Sequence, residues 1–235
     1  MTDKRLTLVT GASAGIGRAL ALELATTHDH HVLALARSKS ALEKLDDEIK
    51  SRGGKATLIP LDLTDAPSVE RLGAVVLERW GRLDGLAGNA GMLGPLSPLQ
   101  TITPREFDKT IDTNLTANWR LIRSFDPLLR TSDSGRAVFV TSGVVPRPRA
   151  FWGPYQASKA GLEAMVHAWI EETAITKMKI NLFDPGATRT AMRADAMPGE
   201  DPMTLPPPEE VAAKLAKLVL PECDSHGKRF EAKDM

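Results

Sequence analysis

A tyrosine and a lysine four residues apart are the first pair in this chain that could carry out acid–base chemistry. Tyr155 and Lys159 lie in a stretch with a helical pattern, so both side chains share one helix face. A phenol has a pKa of about 10, and lowering it to about 7 requires roughly 4 kcal/mol in favour of the phenolate. A nearby ammonium group such as that of Lys159 favours the phenolate. The pair therefore predicts a tyrosine that exchanges a proton with a bound molecule.

A glycine-rich turn near the start of the chain could hold phosphate groups. Residues 10–17 read TGASAGIG, between a short apolar run and an amphipathic stretch. Gly11, Gly15 and Gly17 suit a tight turn, a close backbone approach to a pyrophosphate and tight packing of helix on strand. The helix N-terminus adds free N–H groups and a positive dipole end. The spacing differs from the usual G-x-G-x-x-G, and a turn without a ligand is the alternative, but the strand–turn–helix context favours a dinucleotide site.

The end of the second predicted strand distinguishes between the two common nicotinamide dinucleotides. An acidic residue there would bond the ribose 2′-hydroxyl of NAD, but Ala36 occupies the position. Arg37 follows it and suits the 2′-phosphate of NADP, while Ser13 in the turn adds a hydroxyl donor. A solvated arginine before a helix is the alternative interpretation of Arg37. We predict NADP(H) as the cofactor.

The elements that position these residues alternate between short apolar runs and amphipathic stretches. Such alternation is typical of βαβ units whose parallel sheet is covered on both faces. Right-handed crossovers then predict an α/β fold, a Rossmann-type doubly wound parallel sheet in three αβα layers, with ligands at the carboxyl ends of the strands. Strands are predicted over 6–10, 31–36, 56–61, 83–88, 137–141, 179–183 and 228–231, and helices over 15–27, 40–51, 68–80, 104–113, 115–129, 155–173 and 209–220.

Length and composition limit the class of protein. The 235 residues suffice for one full-sized core, so a single domain over 1–235 is expected. Thirty basic residues balance thirty acidic ones, which disfavours nucleic acid and an anionic membrane as partners. The lone Cys223 fits a reducing compartment. No apolar run approaches the roughly 20 residues of a membrane span, and the run near the start is too short for a signal peptide, so a cytoplasmic location is expected.

Six motifs lie in order along nearly the whole chain. They are the turn over 10–17, Asp62-Leu63, Asn89-Ala90-Gly91, Asn114, Ser142 with Tyr155-Gln156-Ala157-Ser158-Lys159, and Pro185-Gly186-Ala187-Thr188-Arg189-Thr190. Together they resemble the motifs of the short-chain dehydrogenase/reductase family in its compact single-domain form. Each motif alone is a weak signal, but six in the family's order favour the resemblance strongly. The segment over 185–202, which begins with the last motif, is similar to that of a bacterial branch described as oxoacyl reductase-like.

The resemblance implies a catalytic role for four residues. Tyr155 would donate its proton to the developing alkoxide while hydride arrives from the nicotinamide, and Ser142 would hydrogen-bond the substrate oxygen. Asn114 would hold a water that links Lys159 to solvent as a proton relay. No metal site is expected. The residues expected to contact the cofactor are Gly11, Ser13, Gly15, Ile16, Gly17, Arg37, Asp62, Leu63, Asn89, Ala90, Gly91, Tyr155, Lys159, Pro185, Gly186, Thr188 and Thr190.

Two further features leave questions open at this stage. The family often has Asn-Asn-Ala-Gly, and here Gly88 replaces the first Asn, which leaves the local hydrogen bonding undetermined. His28, His30 and His31 lie between the first helix and the second strand, at the sheet end opposite the catalytic edge. We interpret these histidines as part of a solvated turn rather than as a metal site.

Residues 188–208 carry Pro, Gly and Met without clear periodicity, and a loop of this length in a compact domain predicts a substrate lid. Arg147, Arg149 and Trp152 precede Tyr155, and Arg193 lies near the start of the lid. Arginines there could hold a carboxylate or phosphate, and methionines could line a yielding apolar pocket. A solvated loop with some buried methionine is an equally open alternative.

The preferred interpretation is an NADP(H)-dependent oxidoreductase that reduces a small or acyl-linked ketone. An alcohol dehydrogenase that runs toward oxidation is an alternative, because the residues do not set the direction. A non-catalytic NADP-binding redox sensor or partner-binding module is another, although it has no need of Asn114, Ser142, Tyr155 and Lys159 together. The resemblance also implies a homodimer or homotetramer that pairs the two long helices, at about 104–129 and 153–173.

Overall fold

The computed structural model describes residues 4–235, and its centre is a seven-stranded parallel sheet. Across the sheet the strands lie in the order β3-β2-β1-β4-β5-β6-β7. The chain begins with the central strand β1, adds β2 and β3 towards one edge, and then returns to add β4 to β7 towards the other edge. This order confirms the predicted doubly wound sheet, whose order reverses between β1 and β4. The strands are β1 (Leu6–Thr10), β2 (His31–Ala36), β3 (Lys55–Pro60), β4 (Gly85–Gly88), β5 (Arg136–Val140), β6 (Lys179–Asp184) and β7 (Arg229–Glu231).

Helices cover both faces of the sheet and complete the three layers. They are α1 (Gly15–Thr26), α2 (Lys39–Ser51), α3 (Ala66–Trp80), α4 (Pro104–Ile111), α5 (Ala117–Arg130), α6 (Gly153–Glu172), α7 (Ala191–Ala196) and α8 (Pro208–Ala216). One apolar cluster packs α1, α2 and α8 on the first face, and a second packs α3, α5 and α6 on the other. Strands β1, β2, β4 and β5 are buried along their whole length, which explains why they are apolar runs rather than alternating patterns. Within residues 4–235, none of the helices has the length and apolar character needed to cross a membrane.

The two helices that the sequence predicts over 104–113 and 115–129 form one continuous helical run. A π-helical turn, Asp112–Thr116, joins α4 to α5. Such turns add one residue to a helical turn and occur often at functional sites. The apolar period along the chain is interrupted there, which is why the sequence pattern indicated a break. The turn carries Asn114, which is buried.

The histidines at the amino-terminal edge of the sheet are buried, so the prediction of a solvated turn is wrong for two of them. His30 is 2% exposed and His31 is 3% exposed, because β2 begins at His31 inside the sheet. The ring of His30 lies 2.9 Å from the Thr7 hydroxyl through Nδ1, and that of His31 lies 2.8 Å from the Thr57 hydroxyl through Nε2. Burial lowers the pKa of both histidines to about 4.

These lowered pKa values make the free energy of unfolding depend on pH. The unfolded chain takes up protons at about pH 6.5 and the folded protein only at about pH 4, so stability falls as pH falls between these values. In a His30→Asn/His31→Gln variant, the amides replace the ring nitrogens that form the hydrogen bonds. We expect the loss of unfolding free energy between these two pH values to be smaller in this variant, by on the order of 1 kcal/mol per site. Urea unfolding at several pH values measures it. His28→Gln, at a half-buried site, is the control, and a native slope in the double variant would contradict the assignment.

Candidate active site

A cavity of about 1220 Å³ lies at the carboxyl ends of the strands and brings most of the predicted site residues together. Three of the four proposed catalytic residues line it: Ser142, Tyr155 and Lys159. Asn114 is buried behind the cavity wall and does not line it. Gly17 lies under the glycine turn and is the one expected cofactor contact that does not border the cavity. The remaining residues expected to contact the cofactor all do.

The glycine turn is shaped by a close approach of backbone to backbone. Gly11 and Gly15 have φ angles of +69° and +53°, in the left-handed region that favours glycine. A Cβ on Gly17 would lie 2.4 Å from the Gly11 carbonyl oxygen and 2.4 Å from Nδ2 of Asn89. Gly17 therefore supports the turn by packing, while Gly11 and Gly15 border the cavity. The turn leads straight into α1, whose N-terminal N–H groups suit a dinucleotide pyrophosphate.

Thr10 ties the glycine turn to the segment after β4. Its hydroxyl accepts hydrogen bonds from the main-chain N–H groups of Asn89 and Ala90, each at 3.0 Å, and donates to the Ala87 carbonyl at 3.1 Å. The Asn89 side chain donates from Nδ2 to the Thr10 carbonyl at 3.0 Å. The sequence motif alone predicts no role for Thr10, its first residue. Its role follows from the pairing of β1 with β4, which the motif alone does not show.

The cavity end beside β2 carries charge of both signs. Arg37 is exposed directly after β2 and lines the cavity. Asp62 lines the same end, and its Oδ1 accepts hydrogen bonds from the main-chain N–H and the hydroxyl of Thr64, each at 2.9 Å. These bonds, the main-chain one above all, hold the pKa of Asp62 below its ordinary value, and the charge of Arg37 acts in the same direction. The exposed Arg37 is the group at this end that suits the 2′-phosphate of NADP.

The π-helical turn places the Asn114 amide between the loop after β4 and helix α6. Its Oδ1 accepts from the Met92 N–H at 2.8 Å, and its Nδ2 donates to the Met92 carbonyl and to the Ser158 hydroxyl, each at 2.9 Å. Both amide hydrogens are therefore used within the protein. The side chain joins the Met92 loop to α6, and a relay water would have to use a remaining lone pair on an Asn114 oxygen.

Tyr155 and Lys159 are both buried, 8% and 3% exposed, and burial acts on their pKa values in opposite directions. Burial raises the pKa of Tyr155, against the opposing effect of the Ser142 hydroxyl, and the Asp184 charge raises it further. Burial lowers the pKa of Lys159 to about 8, and its Nζ donates to the Val140 carbonyl at 2.8 Å. Without a bound cofactor the pKa of the phenol is therefore raised, because desolvation outweighs the hydrogen bond with Ser142.

The sequence and the fold match those of known proteins. A profile of the short chain dehydrogenase family matches residues 5–201. The chain belongs to this family. A short-chain dehydrogenase from Pseudomonas syringae of known structure is 36% identical, with a TM-score of 0.93 over 97% of this chain and 94% of its own. One from Escherichia coli CFT073, solved in complex with NADPH, is 33% identical, with a TM-score of 0.91 over 99% and 98% of the two chains. The oxidoreductase YciK of E. coli K12 is 34% identical over 90% of this chain and 84% of its own.

Gly88, the departure of this short-chain dehydrogenase from the family's Asn-Asn-Ala-Gly, has a steric explanation. A Cβ at Gly88 would lie 2.4 Å from Cδ1 of Phe139 and 3.0 Å from Oδ1 of Asn118. The buried Phe139 ring, on the neighbouring strand β5, fills the space that a side chain would need.

The short distance between an added Cβ at Gly88 and the Phe139 ring predicts an effect on stability. We expect Gly88→Ala to lower the free energy of unfolding by roughly 1–3 kcal/mol, because a fully buried ring must move. Gly199→Ala, at a site with no atom within 4 Å of the added carbon, is the matched control and should change stability by less than about 1 kcal/mol. Urea unfolding of the two variants measures the difference. Equal stabilities would show that Phe139 does not confine Gly88.

Three charged residues in the cavity wall or directly behind it were not predicted from the sequence. Asp184, 4% exposed, precedes the Pro185-Gly186 turn, and Glu163 lies one helical turn after Lys159. Both contact Arg229 on β7. Glu163 could have been found from its i, i+4 spacing to Lys159. Arg229 could not, because its position depends on the pairing of β7 with β6.

Proposed function

We propose that this short-chain dehydrogenase uses NADPH to reduce the ketone carbon of a small or acyl-linked substrate. The observation that carries the proposal is the grouping of Ser142, Tyr155 and Lys159 in one cavity with the glycine turn. The NADPH complex of the E. coli relative supports the choice of cofactor. Apolar and aromatic side chains of the wall, Val144, Trp152 and Met192, support a largely uncharged body for the substrate.

The chain's residues account for the proton and for the orientation of the substrate. NADPH, when bound, supplies the hydride. Tyr155, kept protonated by burial, donates its proton to the carbonyl oxygen as charge develops there. The Ser142 hydroxyl hydrogen-bonds the same oxygen and orients it. Trp152 packs edge-on against Tyr155, with ring centroids 5.8 Å apart, and helps to exclude water from the phenol.

The proton donor is tested by removing its hydroxyl alone. We expect Tyr155→Phe to lower the turnover number by at least about 100-fold, because the ring remains but its proton is lost. NADPH affinity should change little, since the glycine turn and Arg37 hold the other end of the cofactor. Turnover is measured with a ketone found in a screen of ketones, diketones and β-ketoacyl thioesters, and affinity by NADPH fluorescence. Native turnover in this variant would exclude Tyr155 as the proton donor.

Cofactor preference is tested at the exposed end of β2. Arg37→Ala should weaken NADPH binding about 10- to 150-fold, the value of a charged hydrogen bond, with little effect on NADH. Lys39→Ala is the matched control, because Lys39 is equally exposed two residues away and does not line the cavity. Calorimetric titration with both dinucleotides gives the dissociation constants. Equal native affinity for NADPH and NADH would exclude Arg37 as a 2′-phosphate ligand.

Residues 188–208 are proposed as a lid over the substrate end of the cavity. The segment contains the short helix α7, which is capped by the Thr190 hydroxyl, and an ion pair in which Arg193 donates to Glu200 at 2.5 and 2.6 Å. Met192 and Met203 within it are 38% and 74% exposed, which leaves apolar surface for a ligand to cover.

We expect the lid to exchange amide hydrogens quickly in the free protein and slowly in a complex with cofactor and substrate analogue. Removing the ion pair with Arg193→Ala should speed exchange in the free protein further. Mass spectrometry of hydrogen exchange measures both, with the buried strand β5 as an internal reference. Full protection of 188–208 in the free protein would argue against a lid.

Oligomerisation is proposed through the helices that the family pairs across a two-fold axis. Phe107 on α4 and Trp119 on α5 are 40% and 46% exposed, so these helices carry apolar surface outside the core. A homodimer or homotetramer would cover it.

A further inference from the structure

A single arginine on the last strand contacts four groups behind the active site. Arg229 donates from Nε to Oε1 of Glu163, from Nη1 to Oε1 of Glu231 and from Nη2 to Oδ2 of Asp184, each at 3.0 Å. Its Nη2 also donates to the main-chain carbonyl of Ser142 at 3.2 Å. Every nitrogen of the guanidinium is therefore engaged.

The groups that Arg229 contacts belong to the elements that carry the proposed catalytic residues. Glu163 lies on α6, one turn beyond Lys159, and also accepts from the Thr141 hydroxyl at 2.6 Å. Asp184 ends β6, and its Oδ1 accepts from the Gly186 N–H at 3.0 Å. The planar, five-donor guanidinium thus joins α6 and the ends of β5 and β6 at fixed angles, which an ammonium could not do.

The same contacts place a positive charge against two carboxylates, one of which, Asp184, lines the cavity together with Tyr155. The side chains of Asp184 and Glu163 are only 5% and 13% exposed, so water screens them poorly. Oδ2 of Asp184 lies 3.2 Å from the position of a Cβ on Gly143, directly beside Ser142. The negative charge of Asp184 raises the pKa of Tyr155, and a guanidinium on the same oxygen opposes that effect.

The charged groups that line the cavity beside Tyr155 or pair with Arg229 come from several elements. The arginines before α6 line the cavity, and Arg149 lies over the Trp152 ring, 5.7 Å from its centroid. The set comprises Lys159 and Glu163 on α6, Asp184 on β6, Arg229 and Glu231 on β7, and Arg147 and Arg149 in the loop before α6.

We infer that Arg229 is a positioning residue for the proposed reaction, which fixes the main chain at Ser142 and offsets the charge of Asp184 beside it. It touches no substrate atom by this account and acts through the residues it holds. The inference rests on the proposed function for its consequence in catalysis. Its electrostatic part is independent of any substrate, because it concerns the ionisation of one phenol.

The test uses the fact that Tyr155 is the only tyrosine in the chain. The near-ultraviolet absorbance of tyrosinate, followed against pH in the full-length protein saturated with NADP⁺, therefore reports this residue alone. Arg229→Met, which keeps the apolar stem and removes the charge, should move the titration upward by about one pH unit. Arg229→Met/Asp184→Asn should return it toward the native midpoint, since the unscreened carboxylate is then absent.

Two further variants separate screening from a merely structural role. Arg229→Lys keeps the positive charge but loses the planar set of five donors. The midpoint of the tyrosinate titration should therefore stay near the native value while turnover falls. Arg52→Met is the control, because Arg52 is exposed, pairs with Glu48 and does not line the cavity, and it should leave the midpoint unchanged. Circular dichroism at each pH verifies that the fold is retained. If Arg229→Met does not fold, Asp184→Asn alone should lower the midpoint, and an unchanged midpoint would overturn the inference.

The remaining outcomes decide the inference as well. A native midpoint in folded Arg229→Met, or an equal shift in the single and double variants, would overturn it. The pH profile of alcohol oxidation should shift with the tyrosinate midpoint. If no ketone or alcohol is turned over by the native protein, the proposed function fails while the absorbance titration still decides the role of Arg229.

Discussion

Space at the junction of β1 and α1 is so limited that it determines how the rest of the site is arranged. The main chain at Gly17 packs closely against the Gly11 carbonyl and the Asn89 amide. A Cβ at Gly17 would lie only 2.4 Å from each of these two groups. Because the turn is drawn this close to β4, the first N–H groups of α1 face the cavity at the carboxyl ends of the strands. The Thr10 hydroxyl then holds the same two segments together by accepting two hydrogen bonds and donating a third.

Burial is the second physical theme of the site. Removing Tyr155 and Lys159 from water favours the neutral form of both, so the proton remains on the phenol and is held less firmly by the amine. A positive charge brought into the cavity would shift this balance toward the phenolate. The protein surrounds the pair with paired charges rather than isolated ones, as the desolvation cost of a lone buried carboxylate requires.

Packing explains the local departures from simple patterns. Phe139 occupies the space beside Gly88, and the π-helical turn brings Asn114 far enough inward to bond both Met92 and Ser158. At the opposite edge, His30 and His31 are accommodated as neutral rings with hydroxyl partners. Each is a polar or irregular feature whose cost is offset by specific contacts, and none disturbs the parallel order of the sheet.

The sequence by itself determined the parallel αβα architecture, the glycine turn and the pairing of Tyr155 with Lys159, because these depend on local periodicity and on i, i+4 spacing. It did not determine that His30 and His31 are buried, since a short polar run next to a strand looks the same whether or not a helix such as α3 covers it. The contact of Arg229 with Ser142, 87 residues away, was decided only by the tertiary structure. Register between β6 and β7 places that arginine, and strand register across a crossover leaves no local signal in the chain.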